Sequence, residues 1–230
     1  MEPGPTGEDV DVVALVGAGG HTGREVTFAL SQRPGTEVRA IVRSTAAAER
    51  ALASGATTAV LADLTDPVSL LTAFSGAAVV HVIPPAFNAN EERLIGNAAN
   101  AAVAAGARLF GYHSVLQPDD PHLPHHLRKN RAEIRIRETD VPWVVIRPCM
   151  YAQTAVRLLG GGGAPRLPFG PGGRFSPIDL SDIAEATATA LSGNGYAYGV
   201  FELAGPQLLT IQEMSAVITG TSSLGAIPFS

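Results

Sequence analysis

The amino-acid sequence predicts an α/β protein built on a doubly wound parallel sheet, with a small C-terminal region beside it. Val12 to Gly23 passes from an unbroken apolar run into a glycine-dense loop and then into a helix. Beyond it, apolar β-type runs alternate with helical patterns, the order that βαβ units on a parallel sheet produce. With 230 residues, 46% of them hydrophobic, the chain is long enough to bury a sizeable core.

The first strand covers about Asp11 to Gly17, and its helix closes at Arg33-Pro34-Gly35, where proline and glycine end helical structure. The second strand, Glu37 to Arg43, precedes an alanine-rich helix reaching Gly55. Thr58 to Leu61 is the third strand, after which Asp66-Pro67 supplies a cap and a first-turn proline for the next helix. The fourth strand, Ala78 to Ile83, stops at Pro84-Pro85. A helix from about Asn90 to Ala105 leads to the fifth strand, Arg108 to Tyr112; Pro124 to Thr139 reads as a helix, and Trp143 to Ile146 as the sixth strand. Pro177 to Leu191 is a capped helix, with Asp179, Ser181 or Asp182 at its N-terminus and Ile183 and the alanines facing the sheet. A short strand, Val200 to Leu203, and a helix, Ile211 to Ile218, follow. Residues 1–10 read as a loose tail, Gly160–Gly163 as a flexible run and the last dozen residues as a second tail. Residues 11–156 thus form the sheet domain, and residues 157–230 a small region continuous with it.

Sixteen basic and 21 acidic residues give a net charge of −5 and are spread along the chain, leaving no basic patch for nucleic acid. The single cysteine, Cys149, excludes an internal disulfide, and no Cys/His spacing suits zinc, so no metal is expected. The acidic N-terminus lacks the basic and apolar segments of a signal peptide, and no apolar run reaches the ~18 residues of a membrane span. A cytoplasmic protein acting on a small molecule, without membrane or nucleic-acid partners, is expected.

In the first turn, Gly17, Gly20 and Gly23 recur at a spacing of three. The missing side chains allow, in turn, a tight bend, backbone approach to a pyrophosphate and close helix-on-strand packing. The helix opening at His21 and Thr22 points unpaired N–H groups at the phosphates; a glycine-rich turn without ligand is the competing reading. At the end of the second strand, where an NAD-preferring protein places an acid, stand Arg43 and Ser44, and a guanidinium beside a hydroxyl suits a 2′-phosphate. Asp63 and Leu64 can meet an adenine edge or merely precede a helix. Ile83 and Pro84 floor the middle of a dinucleotide, and Tyr151, after the sixth strand, is counted with the same site.

His113 to Glu133 holds four of the six histidines and the only lysine, Lys129, against 15 arginines. On a helix His125 and Lys129 share a face, so one can handle a proton while the other holds ribose hydroxyls and carries positive charge toward a nicotinamide. Ser114, at the end of the fifth strand, can turn a hydroxyl into the same crevice. A metal site from these histidines and a merely solvated helix are the rival readings.

VGAGGHTGREV, LADLTDP, HSVLQP, LPHHLRKNRAE, VIRPCMYAQ, PIDLSDIA and FELAGPQLLT together resemble the NmrA-like branch of the atypical short-chain dehydrogenase/reductase superfamily, over about Val12 to Thr210. The resemblance implies a Rossmann-type domain binding NADP(H), with NADPH preferred over NADH, through Gly17, Gly20, Gly23 and Arg43, with Lys129 at the family's lysine position. The tyrosine of the superfamily's Tyr-x-x-x-Lys pair is His125 here, and Gln117 and Thr154 stand where relatives often have His and Asn. The family includes reductases of quinones, azo dyes and phenolic compounds, and also nucleotide-binding regulators without turnover. Relatives run some tens of residues beyond the position of Thr210, so the substrate-side region reads as shortened. The expected function is NADP(H)-dependent reduction of a small apolar carbonyl, quinone or conjugated acceptor, with Lys129, His125 and Ser114 catalytic. The alternatives are an NADP(H)-sensing regulator and a non-redox isomerase or lyase, and a homodimer or a regulatory protein partner is compatible with each.

Overall fold

The computed structural model describes residues 10–159 and 173–220. The expectations for residues 1–9, for the Gly160–Gly163 run and for residues 221–230 lie outside the described residues. Aliphatic and β-branched runs form β1 (Asp11–Val16), β2 (Thr36–Val42), β3 (Thr58–Leu61), β4 (Val79–Val82), β5 (Leu109–His113) and β6 (Trp143–Pro148). Between them lie α1 (His21–Ser31), α2 (Thr45–Ala53), α3 (Pro67–Phe74), α4 (Glu91–Ala104) and α5 (Pro124–Arg137). After them come α6 (Ala152–Leu159), β7 (Arg174–Phe175), α7 (Leu180–Ser192), β8 (Gly199–Leu203), β9 (Leu209–Thr210) and α8 (Ile211–Ile218). Seven strands pair in parallel in the order β3-β2-β1-β4-β5-β6-β8. This is the expected doubly wound sheet, with Val200–Leu203 as its seventh strand. The order reverses between β1 and β4, and in such sheets the ligand crevice opens beside that switch, at the carboxyl ends of the strands.

Alternation along the strands builds a core on each face. Val79, Leu109 and Val144 pack with Val26 and Leu30 of α1 and Ala184, Ala188 and Leu191 of α7. Val80, Phe110, Tyr112 and Val145 pack with Leu70 and Phe74 of α3, Ile95 and Ala98 of α4, and Ala132 and Ile136 of α5. Both faces are covered, which is why the strands read as continuous apolar runs rather than as alternation.

Asp66 caps α3 through Val68 N and Ser69 N, with Pro67 in the first turn, and Asp179 caps α7 by accepting from Ser181 N at 2.8 Å. Three elements escape the sequence pattern. The eight residues of α6 bury only Ala155 and Leu159, and β7 and β9 are two-residue strands paired antiparallel. With α8 they form a small separate cluster around Ala155, Leu159, Ile211 and Met214. Thr210 and Glu213 close a capping box at the start of α8.

A buried carboxylate fixes α5 against the sheet. Glu133, with no exposed side-chain surface, accepts from Arg147 of β6 at 2.7 and 3.0 Å, from Arg137 at 3.0 Å and from Ser114 Oγ at 2.6 Å. Burial raises its pKa, but the hydrogen bonds from Arg147 and Ser114, the charge of Arg147 and the bond from Arg137 outweigh burial and leave it lowered. Removing one partner of a buried ion pair strands the others. Glu133→Ala should therefore cost roughly 3 kcal/mol, the low end of the usual range because both arginines still reach solvent. The folded pKa is depressed, so this stabilisation is present above the ordinary glutamate value of 4.5 and is lost as pH falls through the folded value. Urea unfolding of the variant and the unmodified protein at pH 7 and pH 4 should show the gap narrowing in acid.

Candidate active site

The turn after β1 divides its glycines by use. Gly17 has φ +84, and a Cβ there would stand 2.5 Å from Ile83 O, so only glycine bends the chain this close to the next strand. Gly23 is buried in α1, and its Cβ would strike Gly17 O, which brings helix and strand into direct backbone contact. At Gly19 a Cβ would meet Ala47 of α2 at 2.7 Å, and Arg50 Nε donates to Gly19 O at 3.0 Å. Gly20 differs: it is exposed, and a Cβ would have only Gly17 O nearby, at 3.3 Å. Packing therefore accounts for three of the glycines, and Gly20 leaves space facing solvent. Gly20 is also the N-cap of α1, with no side-chain cap. The first N–H groups of a helix have no intrahelical partner, so those of His21, Thr22 and Gly23 face that space with the positive end of the helix dipole.

Around this cradle the sequence-predicted residues fall as follows. Arg43 directly follows β2, is exposed and makes no hydrogen bond or ion pair among the described residues. Ser44 caps α2 through Ala47 N at 3.3 Å, which leaves its hydroxyl proton unspent. Asp63 accepts from Thr65 N and Oγ1 at 2.8 and 2.7 Å, and these bonds hold its pKa down. Leu64 is buried in the core and its carbonyl accepts from Asn97. Ile83 and Pro84, partly buried, follow β4 beside Gly17.

On the α4/α5 face, Lys129 Nζ lies 2.7 Å from Glu91 Oε1 and 3.2 Å from His113 O, and stands 5.3 Å over the Tyr112 ring. Glu91, the first residue of α4 and 1% exposed, also accepts from Tyr112 Oη at 2.6 Å. Burial lowers the Lys129 pKa, and Glu91 counters it. An ammonium has three donors, and two are placed. His125 stands one turn before Lys129, with its ring 5.0 Å from Phe87 and 4.3 Å from His126. Burial, His126 and Lys129 lower its pKa. Ser114 is buried, and its hydroxyl proton is committed to Glu133.

On the α1/α7 face a second polar chain runs to the cradle. His81 of β4 is fully buried, and its pKa is pushed down to about 3 by desolvation. A Cβ on Gly111 of β5 would collide with it, so that glycine makes its room. His113 follows on the same face, its ring 6.2 Å from that of His81, and its Nε2 lies 2.7 Å from Tyr151 Oη. Burial raises the Tyr151 pKa, and Thr22 in the first turn of α1 counters it. Sequence reasoning missed Glu91, His81, His113, Glu133 and Arg147. A histidine inside the apolar run AVVHVIPP, and a lone lysine needing an acid, were the signals available.

Among the described residues no group of histidine, cysteine and carboxylate side chains could hold a metal, and no helix is long and apolar enough to cross a membrane. A parallel sheet switching order beside an uncapped helix with an open glycine cradle defines a dinucleotide-binding domain. The chain belongs to the NAD(P)H-binding family whose model matches residues 17–192, consistent with the NmrA-like resemblance. It is similar at 27% identity to quinone oxidoreductase 2 of Escherichia coli K12, over 92% of this chain and 74% of the relative. It is also 27% identical to the NAD(P)H azoreductase of Xenophilus azovorans, again over 92% and 74%. The structure of the Escherichia coli NADPH-dependent quinone oxidoreductase complexed with NADPH aligns at a TM-score of 0.78, with 28% identity over 91% of this chain and 75% of that one. Citrobacter sp. triphenylmethane reductase complexed with NADP(H) shares the fold, at a TM-score of 0.78 and 24% identity over 92% and 76% of the two chains.

Gly20→Val would fill the cradle without entering the core. NADPH binding should vanish in calorimetric titration while the circular dichroism spectrum stays that of the unmodified protein; Gly23→Val should instead lose folding. Loss of folding in both would make the loop a purely structural turn.

Proposed function

We propose that this protein is an NADPH-dependent reductase of quinones and related conjugated acceptors. The observation that carries the reading is the pairing, at the carboxyl ends of one sheet, of the open Gly20 cradle with a lysine that keeps a donor free. The named activities of the relatives, matched along nine-tenths of the chain, support it. The N–H groups of His21, Thr22 and Gly23 would hold the pyrophosphate, Arg43 and Ser44 the 2′-phosphate, Asp63 and Leu64 the adenine side, and Ile83 and Pro84 the floor. When bound, the reduced nicotinamide supplies a hydride. Lys129, oriented by Glu91 and His113 O, would hold ribose hydroxyls with its remaining donor and place positive charge beside the reacting ring. His125 and Phe87 would line the acceptor side, and the small cluster of α6, β7, β9 and α8 would flank it.

The test is steady-state NADPH oxidation with a panel of quinones; nucleotide binding with no acceptor reduced would favour a nucleotide-sensing role. Arg43→Ala should weaken NADPH by about 10- to 150-fold, the worth of a charge-assisted contact, and leave NADH little changed. Titration of both cofactors against both proteins checks this, and equal affinities in the unmodified protein would refute the 2′-phosphate assignment. Lys129→Ala should raise the Kd for NADPH and lower kcat together.

A further inference from the structure

A quinone that takes a hydride becomes a hydroquinone anion and still needs one proton. His125 is one candidate donor. The other lies across the sheet in the chain His81–His113–Tyr151.

His113 is 3% exposed, and burial, His81 and Lys129 keep it neutral. A neutral imidazole carries one N–H. His113 Nδ1 is buried with no hydrogen-bond partner among the described residues, whereas Nε2 lies 2.7 Å from Tyr151 Oη. A proton on Nδ1 would be a buried donor with nothing to accept it, a costly arrangement; on Nε2 it points at the phenolic oxygen. The tyrosine oxygen therefore accepts from His113, and its own O–H is left to point elsewhere. Burial raises the Tyr151 pKa, and Thr22, at the positive end of α1 where developing negative charge is favoured, counters it. Tyr151 is only partly buried. His81, seated in the room left by Gly111, backs the His113 ring edge-on and limits its rotation.

We propose that Tyr151, with His113 donating its Nε2–H to the phenolic oxygen, gives the proton when an acceptor is reduced. The proposal rests on the reductase reading. The O–H bond of Tyr151 breaks, and its proton joins the acceptor oxygen that has gained the electron pair brought by the hydride. The phenolate, held by His113 Nε2–H and Thr22, recovers a proton from solvent. Tyr151 is the catalytic residue of this step and His113 a positioning residue.

Two measurements test it. In nucleotide-free protein, ¹⁵N NMR should find His113 in the Nε2–H tautomer, with that nitrogen shifting in Tyr151→Phe; an Nδ1–H tautomer would commit the tyrosine proton to His113 and overturn the proposal. The second compares 1,4-benzoquinone with a cationic triarylmethane dye, whose carbon accepts hydride to give a neutral product and needs no proton. Tyr151→Phe should lower the quinone-to-dye ratio of kcat by about 10²- to 10⁴-fold, the usual contribution of a general acid. An unchanged ratio, or a loss of that ratio in His125→Ala alone, would overturn it. Failure of the unmodified protein to reduce either acceptor would instead refute the reductase reading.

Discussion

The contact between α1 and β1 at Gly17 and Gly23 governs the rest of the molecule. A Cβ at either position would collide with backbone, Ile83 O in one case and Gly17 O in the other, so the helix can sit against the strand only where both side chains are missing. That approach aims the uncapped end of α1 across the end of β4, and it brings Thr22 to Tyr151. Moving the helix outward by the width of a methyl group would open the floor at Ile83 and detach the cradle from the groups that face it. The cradle and the groups that face it share one steric condition.

The two carboxylates buried among the described residues each have several partners. Glu91, 1% exposed, receives both Lys129 and Tyr112, and Glu133 receives two arginines and a serine. The two carboxylates lie on the α4/α5 face and anchor α4, α5 and β6, so the same pairs that hold the layer together also set the direction of the lysine. On the opposite face the polar groups are neutral imidazoles and a phenol, which burial tolerates without countercharge. Each face thus offers a different electrostatic environment to whatever lies over the strand ends.

Much of this was legible in the chain. The strand Thr58–Leu61 and the helix Ile211–Ile218 coincide with the sequence reading, as do the Asp66 and Asp179 caps, because local periodicity and capping chemistry determined them. The glycine loop was legible for the same reason, although sequence could not reveal that Gly20 alone is free of packing duty. Partnerships were not legible: Glu91 and Lys129 lie 38 residues apart, and only the packing of α4 on α5 brings them together. Ser114 read as a free hydroxyl, whereas Glu133, 19 residues further on, takes it up. The histidine inside the apolar run AVVHVIPP was visible, but the glycine on the next strand that makes room for it is a tertiary partner and went unread.

His113 joins the two faces, and it does so through different parts of the residue. Its imidazole faces Tyr151, while its main-chain carbonyl accepts from Lys129 on the other side. The second link belongs to the peptide unit, so it is indifferent to the amino acid at that position. Sequence drift at residue 113 can rewrite one half of the centre and leave the lysine anchored as before. A residue wired in this way can change what it presents to one side of the strand ends and keep its hold on the other.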